Sequence, residues 1–168
     1  MLGIAQEAQG PERVRAAVHD RGVEFPVLVD RHGTIARGLG FGVVPSGFFV
    51  EDTMVRYAHR DTFDIGDPRV RHNLVRFLEG EAVPRSPAGR GANPDALALF
   101  ASGVDLHQRG DIVGALKSWR AALEIDPDNF LIRSQVWVVE HPEHFYPTVD
   151  RAWQERQLMR EGYDQPLP

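Results

Sequence analysis

The chain has 168 residues, which is enough for one ordinary domain or for two small ones. Its net charge of −5 disfavours nucleic-acid binding, and its hydrophobic and charged fractions, 42% and 26%, are typical of soluble globular proteins. Cysteine is absent, which excludes disulfides, thiolate metal sites and thiol chemistry by these residues. No apolar run approaches the ~18 residues that cross a bilayer. With no leader in this sequence, the cytoplasm is the default expectation and the compartment stays open.

Residues 1–80 alternate between strand and helix signals. The apolar run "MLGIA" precedes "PERVRAAVHDRG", in which Pro11 suits a first helical position and Gly22 suits a helix stop. A second extended run, "FPVLVD", leads into "GTIARGLGF", which predicts a short helix ending at Phe41.

The next segments predict a hairpin and a third helix. "GFFV" and "MVRYAH" are rich in strand formers and are separated by "EDT". In "DPRVRHNLVRFLEG", Asp67 is the predicted cap and Pro68 the first helical residue, with an apolar stripe of Val70, Leu74, Phe77 and Leu78. The alternation of strands and helices predicts a layered α/β domain.

Residues 81–95 are rich in proline and glycine and poor in apolar residues, which predicts a linker. Beyond the linker, residues 96–162 predict four helices. Asp111 caps the second, Pro142 ends the third and Gly162 ends the fourth. The third helix is expected to face the first two through Phe130, Ile132, Val136 and Val139.

The stretch "FPVLVDRHGTIARGLGFGVVPSGFFVEDTMVRYA" resembles the distal part of a thioredoxin-like domain of the TlpA/ResA type, and the resemblance covers about residues 2–80. It implies a thiol–disulfide oxidoreductase family and a substrate groove formed by Val44, Pro45 and Ser46. It also implies a cis peptide bond before Pro45. The alternative is a trans proline that begins an edge strand.

The sequence departs from that family in one respect. The family has a further strand, between those matched by Gly3–Ala5 and Gly47–Val50, followed by a helix that carries a Cys-x-x-Cys motif. Neither that strand nor that helix has a match in this sequence. Three alternatives stay open. In the first, the true start lies upstream of the recorded one, and in the second, the gene is disrupted upstream by a frameshift or by a UGA codon for selenocysteine. In the third alternative the chain is as written, and rearrangement or a second chain closes the gap. We expect in-frame coding for the missing segment directly upstream of Met1.

Residues 96–129 are similar to a single tetratricopeptide repeat (TPR), a pair of antiparallel helices with small residues where they cross. The matching positions are Leu99, Gly103, Leu106, Ala115, Trp119, Ala122 and Pro127. One repeat buries little surface, so the module is expected to lean on the α/β part, on the last helix or on another chain. It is interpreted either as a structural appendage or as a groove for a protein or peptide.

Two further patterns in the sequence resemble ligand-binding motifs. "EHPEHFYP" at residues 140–147 contains Glu and His side chains that can bind metals, but a rigid turn with Phe145 and Tyr146 packed inward is the better interpretation. The glycines of "GLGFG" at residues 38–42 lack the spacing of a phosphate-binding loop.

The sequence thus predicts an N-terminally truncated thioredoxin-like α/β fold followed by a TPR-like helical module. No cofactor and no catalytic residue is predicted. The first functional hypothesis is part of a redox protein that is inactive as given because it has no thiol. The second is a non-enzymatic scaffold for protein–protein interaction. A homodimer through open sheet edges is a further expectation.

Overall fold

The computed structural model describes residues 1–39, 44–59, 63–84 and 93–162. The fold is mixed α/β, and the predicted order of strands and helices in the first eighty residues is confirmed. The N-terminal elements are β1 (Gly3–Ala5), α1 (Pro11–Asp20), β2 (Val27–Val29), α2 (Thr34–Leu39), β3 (Gly47–Glu51), β4 (Met54–His59) and α3 (Pro68–Leu78). The C-terminal elements are α4 (Pro94–Gln108), α5 (Ile112–Ile125), α6 (Phe130–Glu140), a 3-10 turn (Pro142–His144) and α7 (Arg151–Arg160).

The strands form two separate two-stranded sheets. β1 and β2 are parallel, with Ile4 beside Leu28, and β3 and β4 form an antiparallel hairpin. Within the described residues, β1 and β3 do not pair with each other. Each sheet also presents a directly paired apolar couple to solvent. Ile4 and Leu28 are 42% and 51% exposed, and Val50 and Val55 are 54% and 46% exposed.

Helices α4 and α5 form an antiparallel hairpin. Ser118 Oγ donates to the carbonyl of Leu99 at 2.8 Å, and Trp119 Nε1 donates to the carbonyl of Phe100 at 3.0 Å. A Cβ on Gly103 would lie 3.1 Å from the carbonyl oxygen of Ala115. As α4 advances from Leu99 and Phe100 to Gly103, the contact on α5 moves back from Ser118 and Trp119 to Ala115, as antiparallel helices require.

Helix α6 lies between two apolar clusters. Leu131, Ile132 and Val136 belong to the cluster built by α4 and α5, and Val139 packs against it. Phe130 instead packs against the second cluster, so its predicted orientation was wrong. The second cluster is formed by Trp137, Val138, Phe145, Trp153 and Leu158. Phe145 is therefore buried, as predicted.

The N-terminal part packs directly on the helices. Ala8 is buried in the cluster of α4 and α5, and its amide donates to Gln135 Oε1 at 3.2 Å. Tyr146 donates its hydroxyl hydrogen to Glu7 at 3.1 Å, and the Arg13 guanidinium lies 4.0 Å from the centre of the tyrosine ring. Burial, followed by the charge of Glu7, raises the pKa of Tyr146. The two regions on either side of residues 81–95 therefore share a core through Ala8. Of the three supports that the sequence leaves open for the helical module, the α/β part and the last helix both contribute. Residues 85–92 of the predicted linker lie outside the described residues.

One predicted feature of the α/β part differs from the structure, and others fall on residues that the structure does not describe. Leu78 is 73% exposed, although Val70 on the same helix is 2% exposed, because Leu78 is the last residue of α3. Gly40, Phe41 and Val43, which the sequence places in a short helix and a turn, lie outside the described residues. Among the described helices, none combines the length and the apolar character that crossing a membrane demands.

Candidate functional site

The candidate site begins at the Val44–Ser46 loop, directly before β3. The peptide bond between Val44 and Pro45 is cis, as expected, and a second cis bond precedes Pro147. The carbonyl of Pro45 accepts a hydrogen bond from the Phe63 amide at 2.7 Å. A Cβ on Gly47 would overlap the ring of Phe63, so the glycine admits the aromatic side chain against the end of the loop.

The strand that follows the loop is held by aromatic packing. Phe49 is buried, and its ring centre lies 4.9 Å from that of Tyr57 and 5.1 Å from that of Phe77. Asn73 donates to the Tyr57 hydroxyl oxygen at 3.2 Å. Because α3 supplies both Phe77 and Asn73, the hairpin and this helix form one packed unit.

Asp30, the last residue of "FPVLVD", caps helix α2. Its carboxylate accepts hydrogen bonds from the amides of Thr34 and Ile35 at 2.9 and 2.8 Å, and its side chain is buried. These bonds satisfy donors that every helix leaves unpaired at its first turn. The aspartate therefore has a structural role in ending β2 and starting α2.

Val44 lies on a cleft of about 540 Å³ between the loop and the helices. This volume is in the range of ligand-binding clefts. Pro45 and Ser46 do not line it. The lining residues are Arg21, Val44, Phe130, Ser134, Val138, Phe145, Thr148, Val149, Arg151 and Gln154. The cleft thus joins the sequence-predicted loop to the end of α1, to α6 and to the start of α7.

The cleft, which we call the Val44 cleft, has a cationic lining. Arg21 and Arg151 line it, and none of its described lining residues is acidic. Neither arginine forms an ion pair with another residue in the described ranges 1–39, 44–59, 63–84 and 93–162. Sequence reasoning missed both, because nothing local distinguishes them from the other arginines.

The histidines of residues 140–147 pack around a tryptophan. His144 stacks on Trp153 with ring centres 4.5 Å apart, and its Nδ1 lies 3.4 Å from an oxygen of Asp150. The amide of Trp153 donates to the Asp150 carboxylate at 2.9 Å, and this bond lowers the pKa of Asp150. In the described part of the chain, no group of three His, Asp or Glu side chains is arranged to hold a metal.

Of the seven residues that match the tetratricopeptide pattern, six lie in or against the helical core and Pro127 does not. Gly103, Ala115, Trp119 and Ala122 are buried where α4 crosses α5. Leu99 and Leu106 pack against this cluster, and Pro127 lies on the exposed segment after α5. Their role in the structure is to bring the two helices together.

Comparison of the chain with protein-family models, with curated proteins and with solved structures finds no match. The interpretation of the site therefore depends on its own residues. It offers an exposed cis-proline loop, a partly apolar cleft and two guanidinium groups that have no ion-pair partner within the described part of the chain. No thiol is present in the sequence.

Proposed function

We propose that this chain is the substrate-binding part of a thioredoxin-like redox protein of the TlpA/ResA type, followed by a TPR-like helical module. The catalytic cysteine or selenocysteine would lie on a segment outside these 168 residues. In this proposal Val44, Pro45 and Ser46 form the substrate side of the redox site. The chain as given has no dithiol activity, because the thiolate is the attacking group in disulfide exchange.

The division of the sheet is the observation that carries the proposal. β1 and β3 are the two strands between which the resemblance places the missing strand, and they lie in separate sheets. The exposed Ile4–Leu28 and Val50–Val55 couples are apolar surface that an added strand and its helix would cover. A strand between β1 and β3 would join the two short sheets into one, which is more stable than two isolated pairs.

An insulin-reduction assay tests the proposal. The 168-residue chain is compared with a version extended upstream in the same reading frame, with dithiothreitol as the reductant. We expect turnover only in the extended version, and loss of that turnover when its upstream cysteine or selenocysteine is replaced by serine. An upstream frame without a strand and a Cys- or Sec-containing helix would contradict the proposal. So would dithiol-dependent turnover by the 168-residue chain.

The second candidate function is a non-enzymatic scaffold. The observation that favours it is the packing of Ala8 into the helical core, which makes the α/β part a structural partner of the helices. Inactivity of both versions, with cooperative unfolding of each, would favour the scaffold over the redox protein.

A further inference from the structure

The Val44 cleft combines charge and apolar surface in a way that suits one class of ligand. Arg21 and Arg151 contribute two guanidinium groups without an ion-pair partner among the described residues, although the chain carries a net charge of −5. A guanidinium group binds carboxylates through paired N–H donors. The positive lining of this cleft therefore favours an anionic group, although the protein as a whole is negatively charged.

The rest of the lining is suited to a peptide chain. Phe130 provides partly exposed apolar surface, and Val138 and Phe145, which are 6% and 7% exposed, add smaller apolar areas. The Gln154 side chain, which is 6% exposed, provides an amide. Neither main-chain polar group of Val44 has a hydrogen-bond partner among the described residues. An extended peptide can satisfy both groups as an added strand does, whereas a small carboxylate has no repeating main chain with which to do so.

We infer that the Val44 cleft binds an extended acidic peptide segment, with an apolar side chain on Phe130 and Phe145 and a carboxylate between Arg21 and Arg151. This inference rests on the proposed function and names the substrate class of the same site. Arg151 comes from α7, so the helical module supplies part of the substrate specificity. The TPR-like helices are thereby more than an appendage to the α/β part.

Fluorescence anisotropy of a short rhodamine-labelled peptide, in which valine and glutamate alternate, tests the inference on the 168-residue chain. The matched probe replaces each glutamate with glutamine. We expect saturable binding of the glutamate peptide that weakens at about 0.5 M NaCl, because salt screens exposed charges. Equal binding of the glutamine peptide, or no binding of either, would overturn the inference.

Two arginine variants locate the binding site. Arg21→Gln and Arg151→Gln are each expected to weaken the glutamate peptide about two- to fivefold, the range of one exposed ion pair. Arg156→Gln is the matched control, because Arg156 is exposed on the same helix as Arg151 but does not line the cleft. Equal effects of the three substitutions would reject the assigned site.

Further outcomes distinguish this inference from the binding of a free carboxylate and from the proposed redox function. Displacement of the peptide by N-acetylglutamate at equal concentration would show that a free carboxylate suffices, and would overturn the peptide assignment. Insulin reduction by the extended chain without peptide binding would reject the inference and leave the proposed function standing. Peptide binding without any insulin reduction by the extended chain would support the peptide site and would count against the proposed redox function.

Discussion

Replacement of Gly103 by alanine tests whether the crossing of α4 and α5 depends on a missing side chain. A methyl group at this position would overlap the indole of Trp119 and would lie 3.1 Å from the carbonyl oxygen of Ala115. Trp119 is fully buried, and its Nε1 is already held by the Phe100 carbonyl at 3.0 Å. The indole therefore cannot move aside without breaking a buried hydrogen bond.

The expected magnitude follows from these opposing effects. Overpacking a core costs about 1–3 kcal/mol, and loss of a hydrogen bond adds about 0.5–1.5 kcal/mol. Alanine recovers about 1 kcal/mol as the better helix former. We therefore expect Gly103→Ala to lower the free energy of unfolding by about 0.5–3.5 kcal/mol, measured by urea denaturation with circular dichroism.

Gly38→Ala is the matched control, since Gly38 is also helical and no atom of the described residues lies within 4 Å of its missing Cβ. We expect this variant to gain about 0.4–1 kcal/mol from helix propensity and a more restricted unfolded chain. A Gly103→Ala variant as stable as the parent protein, beside a stabilised Gly38→Ala, would refute the close-crossing argument.

Three other predictions concern stability. Gln135→Ala leaves the buried Ala8 amide without its acceptor and should cost about 1–3 kcal/mol in urea, whereas Gln108→Ala, at an exposed position of α4, should cost far less. Burial lowers the pKa of His107 below 6.5, so the unfolded chain binds its proton more tightly and stability falls as the pH drops through about 6.5. His107→Gln should reduce that loss, and an unchanged pH profile would contradict the assignment. Asp30→Ala should destabilise α2 by about 0.5–2 kcal/mol, seen as faster hydrogen exchange of its amides, and unaltered exchange would exclude the cap.

Local features of the fold were predictable because their causes lie within a few residues. Asp67 accepts from the Arg69 amide at 2.8 Å, and Asp111 accepts from the Gly114 amide at 2.9 Å, as the capping patterns predict. The hairpin turns at Asp52 and Thr53, inside the predicted "EDT". Each of these depends on one side chain and the amides next to it along the chain.

Long-range contacts account for what sequence reasoning missed. The hydrogen bond from the Ala8 amide to Gln135 joins residues that are far apart in the sequence, and neither residue lies in a motif that predicts its partner. Arg21, directly after α1, and Arg151, the first residue of α7, line one cleft although most of the sequence separates them. Phe130 lies two residues before Ile132, and this spacing places it on a different side of α6. It lies seven residues before Trp137, which places the two rings on the same side of the helix.

The helices also determine where the candidate site can form. β1 and β2 have three residues each, and α1 has no buried residue. These three elements therefore bury too little apolar surface to be stable by themselves. Ala8 and the bond from Tyr146 to Glu7 hold it against the helical core instead. Val44 and Arg21 then lie on a cleft whose remaining surface belongs to α6, α7 and the segment between them. Residues 81–95 therefore separate two regions of the sequence without separating two functional units, because the proposed peptide site needs side chains from both.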